Sequence, residues 1–266
     1  MPVEMHERSP SEAASENRIP PPLPSSQPRH SFDTSPSTAG GRSKSWFITF
    51  GSMGLSIAYY AMNWDWKFAT GFVFLILIHE LGHLVAAQRF GLRTGPPVFI
   101  PMMGAFISLK DRAPNAWVEA IIGIGGPLFG TFAAGVCFIL RSDASDPFWG
   151  QLAFYGFLLN LFNLAPVGFL DGGRIVTAIS PWLWILGYLL MLLYTLFSWQ
   201  SSDRFPSIPF LVLLMGIPRL FSLFKHRSPS DQRYYDLEPS QRLSMSLAYF
   251  GLIVVLLLGL LASKTP

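Results

Sequence analysis

His79, Glu80 and His83 fall within GFVFLILIHELGHLVAAQRF, residues 71–90, an apolar stretch long enough to cross a bilayer. An ionisable group near the middle of a membrane costs roughly 2.5–3.5 kcal/mol even on lenient insertion scales, so such a cluster marks a functional site. The spacing names the chemistry. Positions i and i+4 share one face of a helix, so the imidazoles of His79 and His83 can grip one metal ion. Glu80 is turned off that axis and is free to act as a general base towards water. In a soluble helix the same string can be an ordinary charged face. In a lipid-embedded helix the plain alternative is polar glue between helices, which does not call for this spacing.

Two histidines do not complete a catalytic zinc site, which takes three protein ligands and keeps one position open. The single cysteine, Cys137, excludes a multi-cysteine site and any intrachain disulfide. His6, His30 and His226 lie in polar stretches and read as surface residues. The third ligand is therefore sought among carboxylates. Asp171, in NLAPVGFLDGGR, sits at the inner end of the fourth apolar segment, at the depth expected for His83. Glu119 opens the third segment on the same side, where interaction with the helix dipole would also account for it.

Half of the 266 residues are hydrophobic and only 13% are charged, as expected for a membrane protein. The net charge of +3 is spread over short loops, so nucleic acid is not an expected partner. Residues 1–45, rich in serine and proline, are expected to be a disordered tail that stays attached, because they lack the pattern of a secretory signal. A membrane domain follows at 46–262, with apolar segments near 46–62, 68–88, 116–140, 149–170, 181–199, 206–224 and 244–262. Pro206, Pro209 and Pro218 make the sixth a candidate for a kinked or re-entrant element.

The expected fold is an all-α polytopic membrane protein of about six to seven transmembrane helices, with a small re-entrant β-hairpin after the catalytic helix. Lysine and arginine concentrate in alternate loops, which places the N-terminus in the cytoplasm and the C-terminus outside. His83, six residues before Arg89, then lies about 9 Å from the cytoplasmic boundary. The hairpin is read in PVFIPMMGAFISL, residues 97–109, too short to span as a helix. Its edge around Ala105, Phe106 and Ile107 is suited to pair with an extended substrate. The alternative for this segment is an interfacial loop. The glycines Gly123, Gly125, Gly126 and Gly130 are assigned to packing.

HELGH at 79–83 and Asn163-Leu-Ala-Pro166 followed by Asp171-Gly172-Gly173 resemble the two motifs of the site-2 protease family of intramembrane zinc metalloproteases. Pro114, Glu119 and Gly126-Pro127 look like that family's intervening element, and the resemblance covers about 65–180. It implies one Zn2+ per chain held by His79, His83 and Asp171, with Glu80 as general base. Asn163, with Pro166 in the same motif, is implied to lie near the substrate or oxyanion, and Asn160, one turn away, competes for that role. The implied activity is hydrolysis of transmembrane protein substrates near the cytoplasmic face, as in regulated intramembrane proteolysis. The lengths of the polar tail and of the 225–243 loop leave no room for a PDZ or cystathionine-synthase-like domain, so regulation through one is not expected. The competing reading is a zinc-binding membrane transporter or an inactive protease-like scaffold. A transporter would spread polar residues along a path through several spans, whereas here they gather at one depth.

Overall fold

The computed structural model describes residues 39–141, 147–201, 206–223 and 228–263. Of the expected tail, residues 1–38 lie outside the described residues. The chain runs α1 (Ala39–Ala61), α2 (Trp66–Arg89), β1 (Thr94–Ile100), β2 (Gly104–Leu109), α3 (Ala116–Leu140), α4 (Phe148–Asn163) and α5 (Asp171–Ile179). It continues through α6 (Leu183–Ser201), α7 (Ser207–Phe221), α8 (Pro229–Tyr235) and α9 (Pro239–Ser263). By length and composition α2, α3, α6 and α9 are apolar enough to cross a bilayer, while Phe47–Ala61 and Ser207–Phe221 are shorter apolar helices. The chain is thus mostly helical with one small antiparallel sheet, as its sequence led us to expect.

Caps fix where the central helices start. The Asp65 carboxylate accepts from the backbone N–H groups of Lys67 and Phe68, and the Asn115 side chain accepts from that of Val118. Gly91, at φ 70°, supplies the left-handed residue that lets the chain leave α2. The chain then turns back along the layer it has just crossed. Thr49 Oγ1 donates to Pro97 O (2.9 Å) and Phe99 N–H donates to Ser52 Oγ (3.1 Å), so β1 runs in the same direction as α1. Because α1 leads into the start of α2, β1 returns alongside the helix layer instead of leaving it. This is the re-entrant course expected of the hairpin.

The segment expected to span 149–170 is not one helix. α4 stops at Asn163, because Pro166 has no N–H to continue the ladder and Gly168 adopts φ 46°. Asp171 consequently opens a new short helix, α5, and does not end the previous one. Gly172 and Gly173 allow that helix to pack on the preceding loop: a Cβ on Gly172 would lie 2.0 Å from Leu164 O, and one on Gly173 2.6 Å from Gly168 O. The loop and α5 are pinned from outside by Tyr249 Oη donating to Leu164 O (2.6 Å) and Trp184 Nε1 donating to Gly173 O (2.8 Å).

Lipid tails are as apolar as leucine, so burial alone does little to join helices in a membrane; close approach and hydrogen bonds matter more. The α2–α3 seam shows this. A Cβ on Gly82 would lie 2.2 Å from Gly125 O, a contact that only glycine permits. A buried core that includes Val73, Leu164, Val167, Ile175 and Trp184 packs around α5, and a smaller cluster of Ala87, Ala113, Val118 and Ile122 lies at the α2–α3 seam.

Candidate metal centre

The seam and the broken fourth segment together bring three separated side chains to one point. His79 and His83 project from α2, and Asp171 reaches them from the first turn of α5. All three are buried, at 3%, 7% and 7% exposure, so water does not satisfy their polar atoms. The two Nε2 atoms stand 3.2 Å apart, and Asp171 Oδ2 lies 3.0 Å from His79 Nε2 and 3.2 Å from His83 Nε2.

The other nitrogen of each ring is already engaged. His79 Nδ1 donates to Asn160 Oδ1 (2.8 Å), and His83 Nδ1 donates to Ile122 O (2.7 Å). Asn160 is oriented in turn by its Nδ2, which donates to Gly156 O (2.7 Å). These contacts place a proton on Nδ1 of each ring, so that each imidazole, when neutral, carries its lone pair on Nε2. With both rings neutral, two nitrogen lone pairs and a carboxylate oxygen face one another, an arrangement that a bound metal cation satisfies. Two zinc–nitrogen bonds of about 2.0–2.1 Å at a tetrahedral angle separate their donors by about 3.3 Å, close to the spacing found here. Among the described residues this is the group of histidine and acidic side chains that converges in this way.

Glu80 is buried at 6% exposure, and its carboxylate hydrogen-bonds to none of the described residues. It neighbours the triad without belonging to it. Glu119 lies elsewhere: it accepts from Arg219 Nη2 (2.9 Å) and from the Tyr234 hydroxyl. Burial, and then the Glu119 carboxylate, push the Tyr234 phenol up, so it remains a donor.

Asn163, in the last turn of α4, is half-buried and hydrogen-bonds to neither histidine; Asn160, its competitor one turn earlier, is the residue that meets His79. Pro166 packs its carbonyl against α6, where a Cβ on Gly187 would lie 2.2 Å from it. At the hairpin the register pairs Pro97 with Ile107, Val98 with Phe106 and Phe99 with Ala105. Since Pro97 O and Phe99 N–H point outward to α1, their partners Ala105 and Ile107 point their own backbone groups outward on the opposite edge. Phe106 spends its backbone groups on Val98, so it does not share in the edge expected for it. No described residue hydrogen-bonds the outward groups of Ala105 and Ile107.

Gly126 and Glu119 stand out in the sequence, but their partners do not: a Cβ on Gly126 would lie 2.2 Å from His83 Nε2, and Glu119 pairs with Arg219 and Tyr234. An asparagine one helical turn from a motif asparagine was visible, but not which of the two would reach a histidine. At the base of the hairpin, Arg93 forks onto Asp111 (Nη2–Oδ1 2.8 Å) and holds that carboxyl down to about 2.

Residues 67–144 match Peptidase family M50. Zinc metalloprotease MJ0392 of Methanocaldococcus jannaschii is 34% identical over 133 residues, which is 48% of this chain and 38% of that protein. Probable zinc metalloprotease EGY1, chloroplastic, of Arabidopsis thaliana is 27% identical over 155 residues, 41% of this chain and 28% of the relative. Putative zinc metalloprotease Rip3 of Mycobacterium tuberculosis is 35% identical over 113 residues, 39% and 28% respectively. The chain thus spans less than two-fifths of the length of these curated relatives. Among solved structures, a site-2 protease from Methanocaldococcus jannaschii aligns over 72% of this chain and 89% of its own, at 24% identity and a TM-score of 0.42.

Proposed function

We propose that this chain, of the site-2 protease type within Peptidase family M50, is an intramembrane zinc metalloprotease that hydrolyses peptide bonds of transmembrane protein substrates. The observation that carries the reading is the convergence of His79 Nε2, His83 Nε2 and an Asp171 oxygen at 3.0–3.2 Å, with an uncommitted Glu80 carboxylate beside them. His79, His83 and Asp171 would hold the zinc. When bound, it supplies the Lewis acidity that activates water near neutral pH and polarises a carbonyl.

The protein's own groups do the rest. Glu80 takes a proton from the attacking water and returns it to the leaving nitrogen, so the amine departs neutral. Asn160 and the Ile122 carbonyl hold the two imidazoles in the tautomer that keeps Nε2 free of a proton. The buried setting strengthens each of these interactions by excluding competing water. Asn163 has no histidine to serve and is left to meet a substrate carbonyl, with Pro166 shaping the loop beside it.

A substrate helix must also unwind, since its carbonyls are committed to hydrogen bonds within the helix. The outward backbone groups of Ala105 and Ile107 offer those freed by unwinding a new set of partners, as a strand added to the β2 edge. The bias of lysine and arginine towards one set of loops supports cleavage near the cytoplasmic side.

Metal content separates the ligand set from its rival. Purified Asp171→Ala should lose zinc and cleave nothing, while Glu119→Ala should keep zinc, because Glu119 is bound to Arg219 and Tyr234 instead. The reverse pattern would move the third ligand to Glu119.

A further inference from the structure

Beside the metal centre lies a concavity of about 630 Å³, walled by Ile107 and Leu109 of the hairpin and by side chains from the start of α3 and from α5 to α8. Its lining is unusually basic. Lys110, Arg112, Arg174 and Arg219 face two carboxylates, Asp111 and Glu119. Both carboxylates are already taken. Asp111 is held by Arg93, and Glu119 by Arg219 and Tyr234. Lys110 and Arg112 therefore have no carboxylate partner among the described residues, and Arg112 rests only on the Tyr234 ring, 5.2 Å from its centroid.

Arg174 is the most telling of these. Its side chain is only 20% exposed, and the one carboxylate in ion-pair range among the described residues, Asp171, is 3.9 Å away, beyond hydrogen-bond reach. Asp171 itself is turned towards the two histidines. A mostly buried arginine side chain whose five donors meet no hydrogen-bonded partner among the described residues is costly to maintain unless a ligand completes it. The planar fork suits a carboxylate or a phosphate.

We propose that this basic cavity is a specificity subsite that takes a carboxylate side chain of the substrate, a few residues from the bond that is cut. The proposal rests on the peptidase reading of the adjoining centre. Position decides for the substrate chain over a lipid headgroup. The cavity begins where β2 ends, at Ile107 and Leu109, so a strand paired along Ala105 to Ile107 runs directly into it. Arg174 ties it to Asp171 on the other side. At about 3.3 Å per residue, a carboxylate on the far face of Arg174 falls roughly two or three residues from the centre. The Arg112 and Lys110 side chains, nearer the mouth, give the acid an attractive path inward.

The test uses the full chain in proteoliposomes and paired transmembrane peptides that differ only in Glu or Gln at each of the four positions on either side of the cut. Binding is read by fluorescence anisotropy on the Glu80→Gln form, and KM and kcat on the intact protein. At one or two neighbouring positions Glu should bind roughly tenfold more tightly than Gln, with the gain in KM and not in kcat. Arg112→Gln should reduce that preference to about twofold at unchanged zinc content, Arg112→Lys should retain it, and Arg112→Glu should favour a Lys-bearing peptide instead. Equal binding of Glu and Gln peptides at all positions by the unmutated site overturns the subsite, whether or not the arginine variants fold. Activity that follows the phosphatidylglycerol content of the vesicles, with no preference between peptides, would also overturn it and give the cavity to a phosphate headgroup. Failure to cleave any peptide, in contrast, strikes the peptidase reading itself.

Discussion

The metal centre and the β2 edge adjoin the same cavity but treat their polar atoms in opposite ways. At the centre each ring nitrogen facing away from the site has a partner at 2.7–2.8 Å, and the partner Asn160 is itself held by Gly156. At the edge Ala105 and Ile107 leave their outward backbone groups without any described partner, although the other edge of the same hairpin is completed by Thr49 and Ser52 of α1. The difference follows from what each region must do. Groups that hold a metal must be positioned before it binds, whereas an edge that receives a strand must be left incomplete.

The hardest way to break the centre leaves every ligand in place. Gly126→Ala would set a methyl group 2.2 Å from His83 Nε2, and the flanking backbone of the α2–α3 seam leaves little room for the ring to retreat. Purified protein should carry almost no zinc and show no cleavage; full zinc occupancy would mean that the centre is not preorganised by this seam.

Asn160→Ala should act less severely, since it removes only the acceptor behind His79. Zinc affinity, measured by competition with a chelator, should fall roughly 10–100-fold, and Asn160→Asp should recover much of it by restoring an acceptor. An unchanged affinity would show that His79 does not need its partner.

The edge should answer more gently and in a different quantity. Ile107→Pro removes an outward N–H, and KM for a stably helical substrate should rise roughly three- to tenfold with zinc content unchanged. Ile107→Ala keeps that amide and should do little. Phe106→Pro instead attacks the pairing with Val98 and should loosen the hairpin itself, seen as faster amide exchange across 97–107. Identical behaviour of Ile107→Pro and Ile107→Ala would remove strand pairing from the account.

Much of this contrast was legible in the chain before its fold was known. HELGH placed two nitrogens one helical turn apart, and helix geometry alone puts them on one face. The motif around Asp171 pointed to a carboxylate partner, and Pro101 with Gly104 in a short apolar run pointed to a hairpin. The break of the fourth segment was harder to see, because Leu164 to Leu170 is apolar enough to pass for helix and only Pro166 and Gly168 argue otherwise. Gly172 and Gly173 of that motif allow α5 to pack against Leu164 and Gly168, a contact that no local pattern announces. Contacts across large sequence distances left no local trace. Glu119 is 100 residues from Arg219 and 115 from Tyr234, and no periodicity connects them.

The central claim is that a buried triad holds a metal while a separate carboxylate moves the proton. It is tested most directly by measuring zinc content and cleavage of a transmembrane substrate on the same purified samples of the intact protein and of Glu80→Gln. Glu80→Gln preserves size and touches no ligand, so its zinc content should equal that of the intact protein while kcat falls by roughly 10²–10⁴-fold. Cleavage at the original rate in a zinc-loaded Glu80→Gln sample would contradict the account.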